Sequence, residues 1–346
     1  MNSNQSTNIC SRSISLLENL KVLQPFLDDK KNTEIVVNKP YEVITQSKGD
    51  WTHHKVDNLT YKVCSDIAQL SATFSDQALN QKKPILSATL PNGERIQIVM
   101  PPACPKGQVS FTIRKPNDTQ FTLEQYEKEG MFDNTKSHSS ELSPIEEQLL
   151  FLKDNRQYKE FLELAVKAKK NIILSGSTGS GKTAFSKTLI NLVPQNERLI
   201  SIENADELKL YNSHPNTVNL FYSANKQGVA EVTQQELLES SLRMKPDRVF
   251  VAELIRGDEA FYYLRNVNSG HPGSITTIHA SSTSLAFEQL VLFLKESKSG
   301  STLSRVDIKE FLFMCVDIVI QTDAVKGKYT MPEIYYDPKR KYAQNN

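Results

Sequence analysis

The chain has 346 residues, 41 Lys and Arg against 40 Asp and Glu, and a net charge of +1. That length exceeds a comfortable single core, so two domains are expected, and the even charge excludes a protein built mainly to coat nucleic acid. No apolar run reaches the roughly 20 residues that cross a bilayer, and the four scattered cysteines (Cys10, Cys64, Cys104, Cys315) have neither disulfide-framework nor metal-ligand spacing.

Met1 to Ser11 is polar and expected to be disordered, without a signal-peptide pattern. From Ser13 the residues Ile14, Leu17 and Leu20 fall on one helical face, and the pattern is expected to end at Pro25. Short strands are predicted at Glu34–Val37 and Tyr41–Ile44, and a helix between Leu59 and Phe74. Pro91-Asn92-Gly93 between Ile85–Leu90 and Arg95–Met100 is a hairpin signal, and Val109–Arg114 alternates as a further strand. Residues 1–116 therefore read as a smaller α+β domain. Residues 117–143, polar and charged, read as a linker, and 144–346 as an α/β domain in which strands and helices alternate.

That second domain is organised around Gly176-Ser177-Thr178-Gly179-Ser180-Gly181-Lys182-Thr183, which matches G-x-x-x-x-G-K-[ST] at every fixed position. The apolar run Asn171–Ser175 before it reads as a buried strand, and Ala184 opens a helical stretch that stops at Pro194. Glycines let backbone N–H groups converge on phosphate oxygens, and the helix adds its positive end. Lys182 is then the residue to reach the β- and γ-phosphates, and the Thr183 hydroxyl the one to ligate Mg²⁺. The loop with Ala184 is thus a nucleoside triphosphate site for ATP and Mg²⁺.

Two acids follow predicted strands. Glu203 lies just past Arg198–Ile202, where carboxyl ends of parallel strands face the ligand crevice, and is placed to polarise a water, with Asp206 and Glu207 as outer metal contacts. Thr233-Gln234-Gln235-Glu236 is a capping box for a helix to about Met244. The strand Arg248–Ala252 then ends at Glu253, the logic of a Walker B acid.

Taken in order, the P-loop, Ile202–Leu208, Ser241–Arg248 and Gly270–Ala280 resemble the Walker A, Asp box, Walker B and His box of the secretion-superfamily traffic ATPases. Within these, the chain is most similar to the hexameric ATPases of bacterial type IV secretion systems. The resemblance implies a RecA-like P-loop domain with a mainly parallel sheet, and ATP bound in the cleft between the two domains. It implies catalytic roles for Glu203 on the attacking water, Glu253 near Mg²⁺, Lys182, and His279 at the γ-phosphate. It also implies phosphate contacts from Arg114 and Arg243. The implied assembly is a homohexamer at the cytoplasmic face of the inner membrane. Its partners would be secretion-channel ATPases and scaffold proteins, with peripheral membrane contact and no direct nucleic-acid binding. Asn204 departs from the family pattern, which has Asp there. Alternatives are a type II secretion or type IV pilus motor, a RecA-like nucleic-acid motor, a small-molecule kinase, or a non-hydrolysing nucleotide switch.

Overall fold

The computed structural model describes residues 13–116, 120–135, 141–223 and 229–342. The expected disorder of residues 1–11 lies outside them. The N-terminal half is a six-stranded antiparallel sheet. Its strands are β1 (Glu34–Val37), β2 (Glu42–Ser47), β3 (Asp50–Lys55), β4 (Ile85–Thr89), β5 (Arg95–Val99) and β6 (Ser110–Arg114). They run in the order β3-β2-β1-β6-β5-β4. Ile35, Ile96, Ile98, Phe111 and Ile113 bury one face of it against Leu16 and Leu20 of the helix at 13–20 and against Cys64, Ile67 and Ala68 of the helix Tyr61–Phe74. The Thr60 hydroxyl caps that second helix by accepting from the Val63 N–H.

Pro25 does not end the first helical stretch. It sits in the opening turn of a second short helix, Gln24–Asp28, where its missing N–H costs nothing. In the stretch read as a linker, Thr122 and Gln125 form a capping box and start the helix Leu123–Lys128.

The C-terminal half holds two sheets that lie edge to edge. In one, β8 (Leu199–Glu203) lies between β9 (Thr217–Phe221) and β10 (Arg248–Val251), all parallel. In the other, β7 (Ile172–Ser175) lies between β11 (Ile275–Ile278) and β12 (Ile318–Val325), again parallel, and β13 (Lys328–Tyr336) pairs antiparallel to β12. The Leu254 N–H donates to the Thr277 carbonyl at 2.9 Å and the Ser274 hydroxyl to the Val249 carbonyl at 2.6 Å, joining β11 to the β10 side.

Alternate residues of each parallel strand serve opposite cores. Ile173, Ile200, Ile202 and Val249 pack under the helices Gln234–Ser241, Gly257–Asn268, Thr283–Glu296 and Arg305–Cys315. Ile172, Leu174, Leu199 and Phe250 pack under Pro144–Asp154, Tyr158–Lys167 and Lys182–Ile190. A sheet buried on both faces needs continuous apolar strands, which is how these segments read.

The two halves are fastened by buried polar contacts. Arg198, fully buried, donates to Asn38 Oδ1 at 2.9 Å, to Asn216 Oδ1 at 2.6 Å and to the Met244 carbonyl at 2.8 Å. Gln97 donates to the Ser240 hydroxyl at 2.9 Å, and the Phe221 N–H to the Ala103 carbonyl at 2.9 Å.

Candidate functional site: a P-loop cleft at the ends of parallel strands

β7 is buried along its whole length and held by a parallel neighbour on each side, so the loop that follows it starts from a fixed point. Gly176 opens that loop where a Cβ would meet the Thr322 carbonyl at 2.6 Å and the Ser180 hydroxyl, so only glycine fits. Gly181 is left-handed, at φ 85°, and caps the helix Lys182–Ile190. The helix N-terminus and the loop N–H groups thereby converge on one anion site.

Thr178, Gly179, Gly181, Lys182, Thr183 and Ala184 all line a cleft of about 420 Å³. Facing them, from the carboxyl ends of β10 and β11, stand Glu253 and His279. His279 Nε2 lies 2.7 Å from Glu253 Oε1, and the Lys182 ammonium 3.5 Å from His279 Nδ1. A neutral imidazole with its proton on Nε2 satisfies both contacts: it donates to the carboxylate and accepts from the ammonium. Lys182 also donates to the Gly176 and Ser177 carbonyls, each at 2.8 Å. Burial holds the Lys182 amine below its ordinary range, and the Glu253 carboxylate pulls it back up. Lys182, His279 and Glu253 thereby form one continuous line of contacts.

Three expected contributors stand elsewhere. Glu203, at the end of β8, is fully buried and is not on the cleft wall. It accepts from the Ser201 hydroxyl at 2.5 Å, the Leu208 N–H at 2.7 Å, the Glu207 N–H at 3.0 Å and the Asn219 amide at 3.2 Å. Burial pushes its carboxyl above the usual range against those bonds. There it holds the loop after β8, and that loop presents Asn204 and Glu207 to the cleft. Asp206 accepts from the Tyr211 hydroxyl at 2.9 Å.

Arg114 and Arg243 are not at the P-loop either. They line a separate cavity of about 630 Å³ between the N-terminal sheet and the segment after the helix Gln234–Ser241, together with Arg95 and Lys245. Among the described residues none of the N-terminal half lines the P-loop cleft.

The reading of the sequence missed the hairpin β12–β13 and with it Tyr329, whose ring comes within 2.9 Å of the position a Gly181 Cβ would take. A signal was there: Lys326-Gly327, both at positive φ, between runs rich in β-branched and aromatic residues. Tyr222, just past β9, is a second cleft residue that was not anticipated.

A P-loop at the carboxyl end of a doubly covered parallel sheet, faced by an acid and a histidine from the two neighbouring strand ends, defines a P-loop ATPase. The profile of the Type II/IV secretion system protein family matches residues 17–306. The chain is 46% identical to the type IV secretion system protein VirB11 of Bartonella quintana, over 93% of each chain. It is 42% identical to that of Brucella suis, over 96% of this chain and 93% of the relative. The solved VirB11 ATPase of the Brucella suis type IV secretion system, in complex with sulphate, superposes with a TM-score of 0.89 at 42% identity, over 95% of this chain and 99% of that one. This chain therefore belongs to the type II/IV secretion system protein family, among its VirB11 ATPases.

Proposed function

We propose that the chain hydrolyses ATP to drive a bacterial type IV secretion system, in substrate translocation or pilus biogenesis, as a homohexameric ring. The observation that carries the ring is the separation of charges. Phosphoryl transfer needs cations around the transferring group, and among the described residues lining the P-loop cleft Lys182 is the lysine or arginine present. Arg95, Arg114 and Arg243 gather in the other cavity of the same chain. A head-to-tail ring would bring that cavity of one subunit to the P-loop of the next.

In this reading the residues of the P-loop bind the phosphates and Glu253 orients the water. Mg²⁺ suits the donors, because it keeps several waters and takes one or two protein oxygens alongside phosphates. The Thr183 hydroxyl and Glu253 would hold it, with Glu207 near, and bound there it would neutralise phosphate charge. The reading divides the chain at 116 and 144 into an α+β domain, a linker and a RecA-like domain, and ATP turnover would rock the first against the last. The ring's partners would be other ATPases and scaffold proteins of the channel, at the inner membrane face. None of the described helices is long and apolar enough to cross a membrane.

Light scattering with and without Mg-ATP, alongside phosphate release from the same sample, tests this. A species near six times 39.1 kDa whose specific activity rises with assembly is expected. Full activity in a sample that stays monomeric would remove the ring from the mechanism.

A further inference from the structure

β9, β8 and β10 lie side by side in one parallel ladder, and their registers fix which residues come level at the carboxyl end. Leu220 and Val251 both pair with Ile202. Two residues further on, Tyr222, Asn204 and Glu253 form a row across the three strands, on one side by the alternation of strand residues. The ladder carries on to that level: the Tyr222 N–H donates to the Glu203 carbonyl and the Ala252 N–H to the Ile202 carbonyl, each at 3.0 Å. All three residues of the row line the P-loop cleft.

Tyr222 is the buried member of the row. It is only 9% exposed, and its ring belongs to the core that holds Val218, Leu220, Leu237 and Leu254. A buried tyrosine ordinarily finds a partner for its hydroxyl, yet among the described residues this one has none. Burial pushes the phenol up to about 12, Glu259 and Glu253 push the same way, and Arg256 opposes them. The group is therefore a neutral hydroxyl near Glu253, at the wall of the cleft, with its hydrogen-bonding capacity unspent.

The strands run β7, β11, β10, β8, β9, so Tyr222 stands beyond Glu253 as seen from Lys182. In-line attack on a γ-phosphate held by the P-loop needs its water on that far side. Two strand spacings, about 10 Å, separate the backbones of β9 and β10, a gap that a glutamate and a tyrosine can narrow to the width of one water. Glu253 has Oε1 on His279 and its other oxygen left for that water.

We propose that Tyr222 is a further catalytic residue, whose hydroxyl oxygen accepts a hydrogen bond from the attacking water while Glu253 accepts the other. The inference rests on the P-loop cleft being an ATPase site with Glu253 on the water. With both its O–H groups engaged, the water turns a lone pair toward the γ-phosphate. As the bond from water oxygen to phosphorus forms, the bond from phosphorus to the bridging oxygen breaks, ADP keeps that electron pair, and Glu253 takes the proton. Tyr222 exchanges no proton and sets the direction of attack.

Tyr222→Phe keeps the ring and removes only the hydroxyl. On the full chain, phosphate release gives kcat, and calorimetry gives the affinities for ATP, for ADP, and for ADP with aluminium fluoride, which mimics the transferring group with its water in place. In the variant kcat should fall about 10- to 100-fold with ATP affinity held within about twofold, and the urea midpoint should not move. Affinity for ADP with aluminium fluoride should fall by a similar factor while ADP alone binds as before. In a Glu253→Gln background Tyr222→Phe should cost less than about threefold more, because both groups act on one water. An unchanged kcat in Tyr222→Phe beside an inactive Glu253→Gln would overturn the role of Tyr222 and leave the ATPase reading intact. Equal loss of ATP, ADP and the mimic, or full additivity with Glu253→Gln, would also overturn it. A wild type that released no phosphate, assembled or not, would remove the ATPase reading and this role with it.

Discussion

The P-loop cleft and the arginine-lined cavity are made of different materials. The cleft is set by backbone: a glycine that tolerates no Cβ, a left-handed helix cap and the carboxyl ends of parallel strands. Among its side chains are one ammonium, an imidazole and two carboxylates. The cavity is set by side chains from β1, β5 and β6 and from the turn before β10, with three arginines and Lys245 facing the single acid Glu34. One region can bind a phosphate chain without help, whereas the other carries cations and no rigid backbone cradle. In the proposed ring, one chain would hold the two halves of a phosphoryl-transfer site apart, and the activity would depend on what brings them together.

The largest effect should come from breaking the cleft at its acid. Glu253→Gln keeps the shape and removes the charge beside His279. Turnover should fall by about 100-fold or more while ATP still binds. Glu203→Gln is the contrasting substitution. An amide there places N–H groups against donors that Glu203 now accepts from. It should cost about 1–3 kcal/mol of stability in urea denaturation and change turnover by less than tenfold. If Glu203→Gln abolished turnover in a protein of unchanged stability, the water would belong to Glu203.

Next in size is the cavity. Arg114→Ala and Arg243→Ala should leave ATP binding to the isolated chain unchanged and lower the activity of the assembly by about 100-fold. A mixed assembly sharpens the test. Arg114→Ala combined with Glu253→Gln should recover part of the activity, because some interfaces then join an intact acid to an intact arginine. No recovery at any ratio would show that the arginines act within their own chain or not at all.

How much of this was legible depended on whether the signal is local. The P-loop, the hairpin at Asn92-Gly93 and the capping box at Thr233 are read from a few adjacent residues, and β7, β5 and the helix Gln234–Ser241 stand where those residues place them. Glu203 is also a strand-end acid, but its neighbours Ser201 and Asn219 turn its oxygens inward, and Asn219 is 16 residues away on another strand. Arg114 and Arg243 show no local sign of where they meet, since that place follows from the docking of the two halves through Arg198 and Gln97. Tyr329 was legible as a turn-flanking residue of a hairpin, yet its position over Gly181 follows from how far β12 outruns β7.

The smallest effect concerns the acid that the arginines surround. Glu34 is almost fully buried, and its partner Arg114, 3.7 Å away, is mostly exposed. Burial therefore outweighs pairing, and the carboxyl is pushed up to about 7, with Arg114, Lys245 and Arg198 pulling the other way. The unfolded chain gives up this proton at an ordinary pH, so between about 4.5 and 7 the folded state binds more protons than the unfolded one. Stability from this group is thus complete at low pH and lost as pH rises through about 7, by at most about 3 kcal/mol. Glu34→Gln should remove that slope. In urea denaturation the variant should match the wild type near pH 4.5 and exceed it by about 1–2 kcal/mol at pH 8. A wild type at least as stable as Glu34→Gln at pH 8 would mean that the pairing with Arg114 outweighs burial, and that the cavity is neutralised from within.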